Sequence, residues 1–327
     1  MKAALCKSLD GPEGIAIEEL ADPVAGPGEV VIGVRAAALN FFDTLITRGK
    51  YQTKPELPFS PAGEIAGAVE RVGSGVRNLA AGQRVAAYVG YGGAREKVVI
   101  PASSCVPIPT RVPDEIAAGI AITYGTAIHG LKDRARLKAG ESVAILGASG
   151  GAGLAAIEIA KRMGAHVIAV ASSPEKLAVC RKHGADDLID YAGGDLKDAL
   201  RRATSGEGID VIYDCVGGEH SEPALRALRW QGRFLVVGFA SGSIPKFALN
   251  LLLIKGVDVI GVFWGEFVRR YPDAHRQNMI EVLDWIDEGK LKPVVHKVYP
   301  LGQISDAIRV LDRREAIGKV VLTMSPG

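Results

Sequence analysis

The stretch "SVAILGASGGAGLAAIEIAKRMGAHVIAVASSPEKL", Ser142–Leu177, decides the fold. An apolar run, Ser142–Leu146, enters a turn carrying Gly147, Gly150, Gly151 and Gly153. A helical segment follows, and a second apolar run ends in Ser172-Ser173-Pro174-Glu175-Lys176. A parallel strand that turns sharply into a helix needs residues without side chains at the turn. The backbone can then approach an anion, which meets free N–H groups at the positive end of the helix. Strand, glycine turn, helix and second strand, in this order and spacing, form the context in which such a turn binds the pyrophosphate of a dinucleotide. The plainer alternative is a turn that only packs helix on sheet.

The end of the second run narrows the choice of dinucleotide. A site for NAD(H) carries Asp or Glu about 20 residues beyond the glycines, to hold the ribose 2′-hydroxyl. Here Ala171, Ser172 and Ser173 stand in that place, and Lys176 lies one helical turn on. A carboxylate would repel a 2′-phosphate, whereas two hydroxyls and an ammonium would bind it. Glu175 is expected inside the following helix rather than at the strand tip. The reading favours NADPH. Lys176 could also be an ordinary solvated lysine.

Around this centre the chain keeps one rhythm. Apolar runs "DLID", "DVIYDCVG", "GRFLVVG" and "VDVIGVFWG" alternate with helical segments of about ten residues, the signature of parallel βαβ units. The helix after the glycines is expected over Leu154–Met163. Residues 1–120 read instead as short β-branched runs broken by Gly and Pro, followed by a helical stretch beginning "RVPDEIAAGIAITYGTAIHGL". After residue 264 come a helix, the run "HKVYP", a second helix and a last strand, "KVVLTM". The fold class is therefore α/β: a doubly wound, Rossmann-type parallel sheet over residues 123–264, inserted between two parts, 1–122 and 265–327, of a β-rich domain.

Composition narrows the function classes. The chain has 327 residues, 48% hydrophobic, with a net charge of +2 and 40 glycines. Scattered Lys and Arg argue against nucleic-acid binding. Cys6, Cys105, Cys180 and Cys215 form no CxxC pair, which disfavours structural zinc and a disulfide framework. No apolar stretch approaches the ~20 residues of a membrane span, and the start has too short an apolar run for a signal peptide. A cytoplasmic protein is expected.

The segments "AALNFFDTLITRGKY", "GEIAGAVERVGSGV", "GQRV", "GASGGAGLAAIEIAK", "HGADDLIDY", "YDCVGG" and "GKVVL" resemble, in that order, the medium-chain dehydrogenase/reductase superfamily. Within it the chain is most similar to zinc-free NADPH:quinone oxidoreductases and acryloyl-CoA reductase-like members. The resemblance implies a GroES-like catalytic domain beside the Rossmann-type sheet. Where zinc-dependent alcohol dehydrogenases of the superfamily carry Cys and His ligands, this chain has Asn40 and Gly63, so no metal is expected. Without zinc to form an alkoxide, the remaining reaction is hydride delivery to an electron-poor acceptor, a quinone or activated α,β-unsaturated carbonyl.

The resemblance also implies particular contacts. Gly150, Gly151 and Ala152 would cradle the pyrophosphate. Ser172, Ser173, Lys176 and Tyr191 would surround the adenosine phosphate. Thr126, Cys215, Gly238, Phe239, Phe263 and Trp264 would line the dinucleotide track. Asn40 and Tyr51 would stand beside the nicotinamide as the polar groups near the reacting carbonyl. Each has a structural reading as well. Asn40 and Asp43 could satisfy backbone groups in a turn, Tyr51 could bury its ring and wet its hydroxyl, and Cys215 could be an inert buried thiol. The family likeness implies a homodimer joined at "VDVIGVFWG", an apolar edge strand open to pairing. Two alternatives stand: an acryloyl-CoA or other enoyl-thioester reductase, and an NADPH-binding protein with little turnover.

Overall fold

The computed structural model describes residues 1–324. The chain forms two compact units: Thr123–Glu266, and Met1–Ile122 together with the chain from Phe267 onward.

The unit Thr123–Glu266 is built on a six-stranded sheet. Its order is Asp187–Asp190, His166–Ala171, Ser142–Leu146, Ile209–Asp214, Leu228–Val236 and Asp258–Gly261, with every neighbouring pair parallel. Counted along the chain this is the order 3-2-1-4-5-6, which reverses beside the first strand and opens a crevice there. The strands are near-continuous apolar runs because both faces of a parallel sheet are covered by helices. One face buries Leu146, Ile168, Val170, Ile212 and Phe234 against Leu196, Leu200, Ala224 and Leu225. The unit is a doubly wound, Rossmann-type α/β domain.

Two elements differ from the sequence reading. The helix after the glycines runs Gly151–Arg162, so Gly151, Ala152 and Gly153 lie in its first turn rather than before it. The first turn must press against the preceding loop: a Cβ on Gly153 would stand 2.4 Å from the Gly147 carbonyl oxygen. In "VDVIGVFWG" only Asp258–Gly261 is strand, and Trp264 already opens the helix Trp264–Arg270. Val262 N–H still bonds the Val236 carbonyl at 2.9 Å, but the chain then leaves the sheet. The buried Trp264 indole packs on Gly125, where a Cβ would come within 2.8 Å of the ring. Apolar alternation could not tell a strand residue from a helix residue anchored beneath it.

The other unit holds mostly antiparallel strands. Their order is Val295–Pro300, Lys319–Thr323, Glu29–Leu39, Glu64–Val72, Arg84–Tyr88 and Cys105–Pro107, with Lys97–Pro101 also paired to Glu29–Leu39. The helical stretch from residue 113 is broken into Asp114–Ala117 and Ala121–Ile128, with a π-helical turn at His129–Arg134. Glu29–Leu39 is the axis of this sheet. It pairs Ala38 with Glu64 on one side and Leu39 with Val320 on the other, so Glu64 and Lys319 arrive at one end, beside Asn40. Ile32, Leu39, Ile65, Val85, Val320 and Leu322 form its core with Ile304 and Ile308 of the helix Ile304–Asp312.

Candidate functional site

In the Rossmann-type unit, the residues singled out from sequence follow the carboxyl ends of the parallel strands, except Thr126, which lies on the helix Ala121–Ile128 before the first of them. Gly150 caps the helix Gly151–Arg162 with extended backbone, and no side chain bonds the helix start there. Gly147 holds φ +72°, a conformation costly for any residue with a Cβ, and a Cβ there would meet Val216 at 2.7 Å. A Cβ on Gly150 would touch nothing closer than 3.5 Å. The turn is thus tight inside and open at the cap, the shape a pyrophosphate cradle requires.

At the tip of His166–Ala171 the polar groups converge. Lys176 Nζ donates to Ser172 Oγ at 3.2 Å, and Ser173 Oγ accepts the Lys176 backbone N–H at 3.4 Å. Ser173 is the cap and Pro174 the first residue of the helix Pro174–Lys182, which sets Lys176 back over the strand tip. Glu175 lies in this helix, exposed, its carboxyl held below its usual range chiefly by a hydrogen bond with Ser173. Tyr191 follows the outer strand Asp187–Asp190 and stacks at a tilt on His220, with ring centroids 4.3 Å apart.

Beyond the fourth strand the loop is organised by Asp214, which sequence reasoning passed over. Its Oδ1 accepts the N–H groups of Val216 and Gly217 at 2.8 and 2.9 Å, and its Oδ2 accepts Ser221 Oγ at 2.6 Å. The Ala240 N–H then bonds the Cys215 carbonyl at 3.1 Å, tying the loop of Gly238 and Phe239 to that of Cys215. Burial, then the nearby Asp214 charge, pushes the Cys215 thiol well above its ordinary range, toward the protonated form. Thr126 is buried one residue past Gly125 on the helix Ala121–Ile128. Trp264 is buried against that helix, while the neighbouring Phe263 is 62% exposed.

Asn40 and Tyr51 lie in the other unit. Asn40 caps the short helix Phe41–Ile46, and its N–H donates to Asp43 Oδ2 at 2.8 Å. Asp43 Oδ1 accepts the Ala62 N–H at 2.9 Å, so this carboxyl braces two loops. The Asn40 side chain is taken up by a buried ion pair: Lys319 Nζ donates to Asn40 Oδ1 and to Glu64 Oε1, both at 2.6 Å. Asn40 Nδ2 donates to Glu64 Oε1 at 2.9 Å, and Glu64 Oε2 accepts the Ile122 N–H at 2.8 Å. Burial raises Asp43 to about 7, against the pull of its two N–H donors and Lys319. Tyr51 is half-buried, its ring 5.4 Å from that of Phe42, and burial followed by the Asp43 charge raises its phenol. Glu64 and Lys319 stand inside the "GEIAGAVERVGSGV" and "GKVVL" segments, but nothing local in either marked them as partners or as part of the site.

The positions that would hold catalytic zinc offer no such donor set. Position 40 is an amide bound to an ammonium. A Cβ at Gly63 would fall 2.7 Å from both the Gly90 carbonyl and the Phe42 ring, leaving no room for imidazole. Among the described residues no group of three or more His, Cys, Asp or Glu is placed to hold a metal ion. No helix among them is long and apolar enough to cross a membrane.

A family model for zinc-binding dehydrogenases matches residues 151–288, and one for the alcohol dehydrogenase GroES-like domain matches residues 26–110. The chain belongs to the medium-chain dehydrogenase/reductase superfamily, in its zinc-free, quinone oxidoreductase-like group. It is 37% identical to the quinone oxidoreductase-like protein 2 homolog of Nematostella vectensis over 324 residues, 98% of this chain and 88% of that one. It is 30% identical to the quinone oxidoreductase of Rattus norvegicus, covering 99% of this chain and 98% of that one. Among solved structures, Escherichia coli quinone oxidoreductase in complex with NADPH superimposes with a TM-score of 0.90 at 28% identity, covering 99% of this chain and all of that one. A probable oxidoreductase from Mycobacterium abscessus gives 0.89 at 36% identity, over 99% and 98% of the two chains. The chain is an oxidoreductase of this family with a Rossmann-type and a GroES-like part.

Proposed function

We propose that this oxidoreductase uses NADPH to reduce quinones or activated α,β-unsaturated carbonyls. The observation that carries the reading is the Ser172–Lys176 pair, 3.2 Å apart at the strand tip where an acidic residue would mark NAD(H). The NADPH complex of the Escherichia coli relative supports the same choice. When bound, the reduced dinucleotide supplies a hydride to an electron-poor carbon or oxygen.

The chain's own residues do the rest. Gly150, Gly151 and Ala152 hold the pyrophosphate by N–H groups at the helix start. Ser172, Ser173 and Lys176 bind the 2′-phosphate, flanked by Tyr191. Thr126, Cys215, Gly238, Phe239, Phe263 and Trp264 line the remaining track. Asn40 and Tyr51 are the polar groups offered to the acceptor, Asn40 as an N–H donor to the oxygen on which negative charge develops. In this reading residues 123–264 are the nucleotide-binding domain, and 1–122 with 265–327 the domain that receives the acceptor. The protein is cytoplasmic and works as a homodimer.

The test is oxidation of NADPH and NADH with a panel of quinones, enones and acryloyl-CoA. Turnover of quinones or enones with NADPH preferred is the expected result. Turnover confined to acryloyl-CoA would replace it with a thioester reductase, and tight NADPH binding with no turnover would leave a binding protein.

A further inference from the structure

We propose that the buried Glu64–Lys319 ion pair is a positioning device that fixes the orientation of the Asn40 amide and keeps one of its N–H bonds available as a donor. Three observations carry this. Lys319 can only donate and ionised Glu64 can only accept, so the amide is held one way round: oxygen toward Lys319, nitrogen toward Glu64. The flipped amide would set NH2 against ammonium and a carbonyl against a carboxylate. The pair is itself immobile, since Glu64 is fully buried, Lys319 is 5% exposed, and Glu64 is pinned by the Ile122 N–H.

The second observation is a count of hydrogens. Nδ2 carries two, and Glu64 Oε1 takes one. The other has no acceptor among the described residues, while Asn40 keeps 9% exposure. The third is the backbone. Asp43 holds the Asn40 N–H, so the residue is fixed at both ends. A donor so constrained needs no reorganisation when an oxygen beside it gains charge. Lys319 and Glu64 act through Asn40, and this role rests on the reading of Asn40 as the group that meets the acceptor.

The amide is observable without turnover. The chain has four asparagines, Asn40, Asn78, Asn250 and Asn278, so selective 15N-asparagine labelling gives four side-chain amides, with that of Asn40 assigned by its loss in N40D. We expect one Asn40 side-chain proton to exchange with solvent much more slowly than its geminal partner. Equal exchange of the two in the wild type would overturn the proposal with no variant needed. The double variant E64L/K319M removes both charges together with the side-chain acceptor that a glutamine would keep, and leaves neither charge uncompensated. It should equalise the two rates and lower kcat about 100-fold, with the calorimetric Kd for NADPH unchanged, while K319R keeps the slow proton and most of kcat. A double variant that keeps the slow proton would overturn the proposal. Equalised exchange with kcat intact would instead sink the reading of Asn40 at the acceptor, and with it the use of the device.

Discussion

Lys176 stands one turn beyond Ser172 with its ammonium drawn back over the strand tip. K176A should raise the KM for NADPH about tenfold, roughly 1.4 kcal/mol of lost charge-assisted bonding, and leave that for NADH unchanged. Steady-state kinetics with both coenzymes check it. Gly153 makes a sharper demand, because its missing Cβ would overlap the Gly147 carbonyl at 2.4 Å. G153A should cost about 1–3 kcal/mol in chemical denaturation and weaken coenzyme binding with it. Asp43 gives a pH test. Its carboxyl is raised from 3.8 to about 7 in the fold, chiefly by burial. Between those values the folded protein keeps a proton that the unfolded chain has lost, so this group's contribution falls as pH rises from about 4 to 7. D43N, whatever its constant cost, should lack that slope in urea titrations across the window. The glycines and the Ser172–Lys176 pair were legible in sequence because each sits within one turn of its partner. The Glu64–Lys319 pair spans 255 residues and exists only because Glu29–Leu39 draws both strands to one end.

Among the elements, the helix Pro272–Asp287 buries His275. Burial depresses its imidazole from 6.5 to about 4. Below its ordinary value the unfolded chain binds a proton that the folded helix refuses, so this stability is present above about 6.5 and is lost as pH falls toward 4. The loss is of order 3 kcal/mol across the window. H275Q should flatten the acid limb of the stability curve, measured by denaturation between pH 4 and 7. It opposes the Asp43 slope, and the two variants separate them. Legibility was uneven here too. Buried parallel strands such as Ser142–Leu146 announce themselves as unbroken apolar runs, whereas "VDVIGVFWG" looked like one long strand because Trp264 is apolar for a different reason. Its indole fills space left by Gly125, a packing fact with no period in sequence.

For the whole molecule, the Rossmann-type unit ends in a short open strand with apolar groups around it. Val259 is 39% exposed, Leu249, Leu253 and Ile254 between 64 and 79%, and Phe263 62%. An edge of this kind invites pairing, and a lysine on it opposes pairing. V259K should shift the proposed homodimer to monomer in sedimentation velocity while leaving the melting temperature nearly unchanged. The parallel pairing of the six strands was legible in the alternation of strand and helix along the chain, whereas their order beside one another is a tertiary fact that the alternation leaves open. The mostly antiparallel sheet was less readable, because its strands pair across long loops that no local pattern specifies.

Calorimetric titration with NADPH and with NADH asks whether the open sheet end binds a dinucleotide through its 2′-phosphate. NADPH is expected to bind at least ten times tighter, the margin of one charge-assisted phosphate contact of roughly 1.4 kcal/mol. Equal affinity for the two coenzymes, or a preference for NADH, would contradict it.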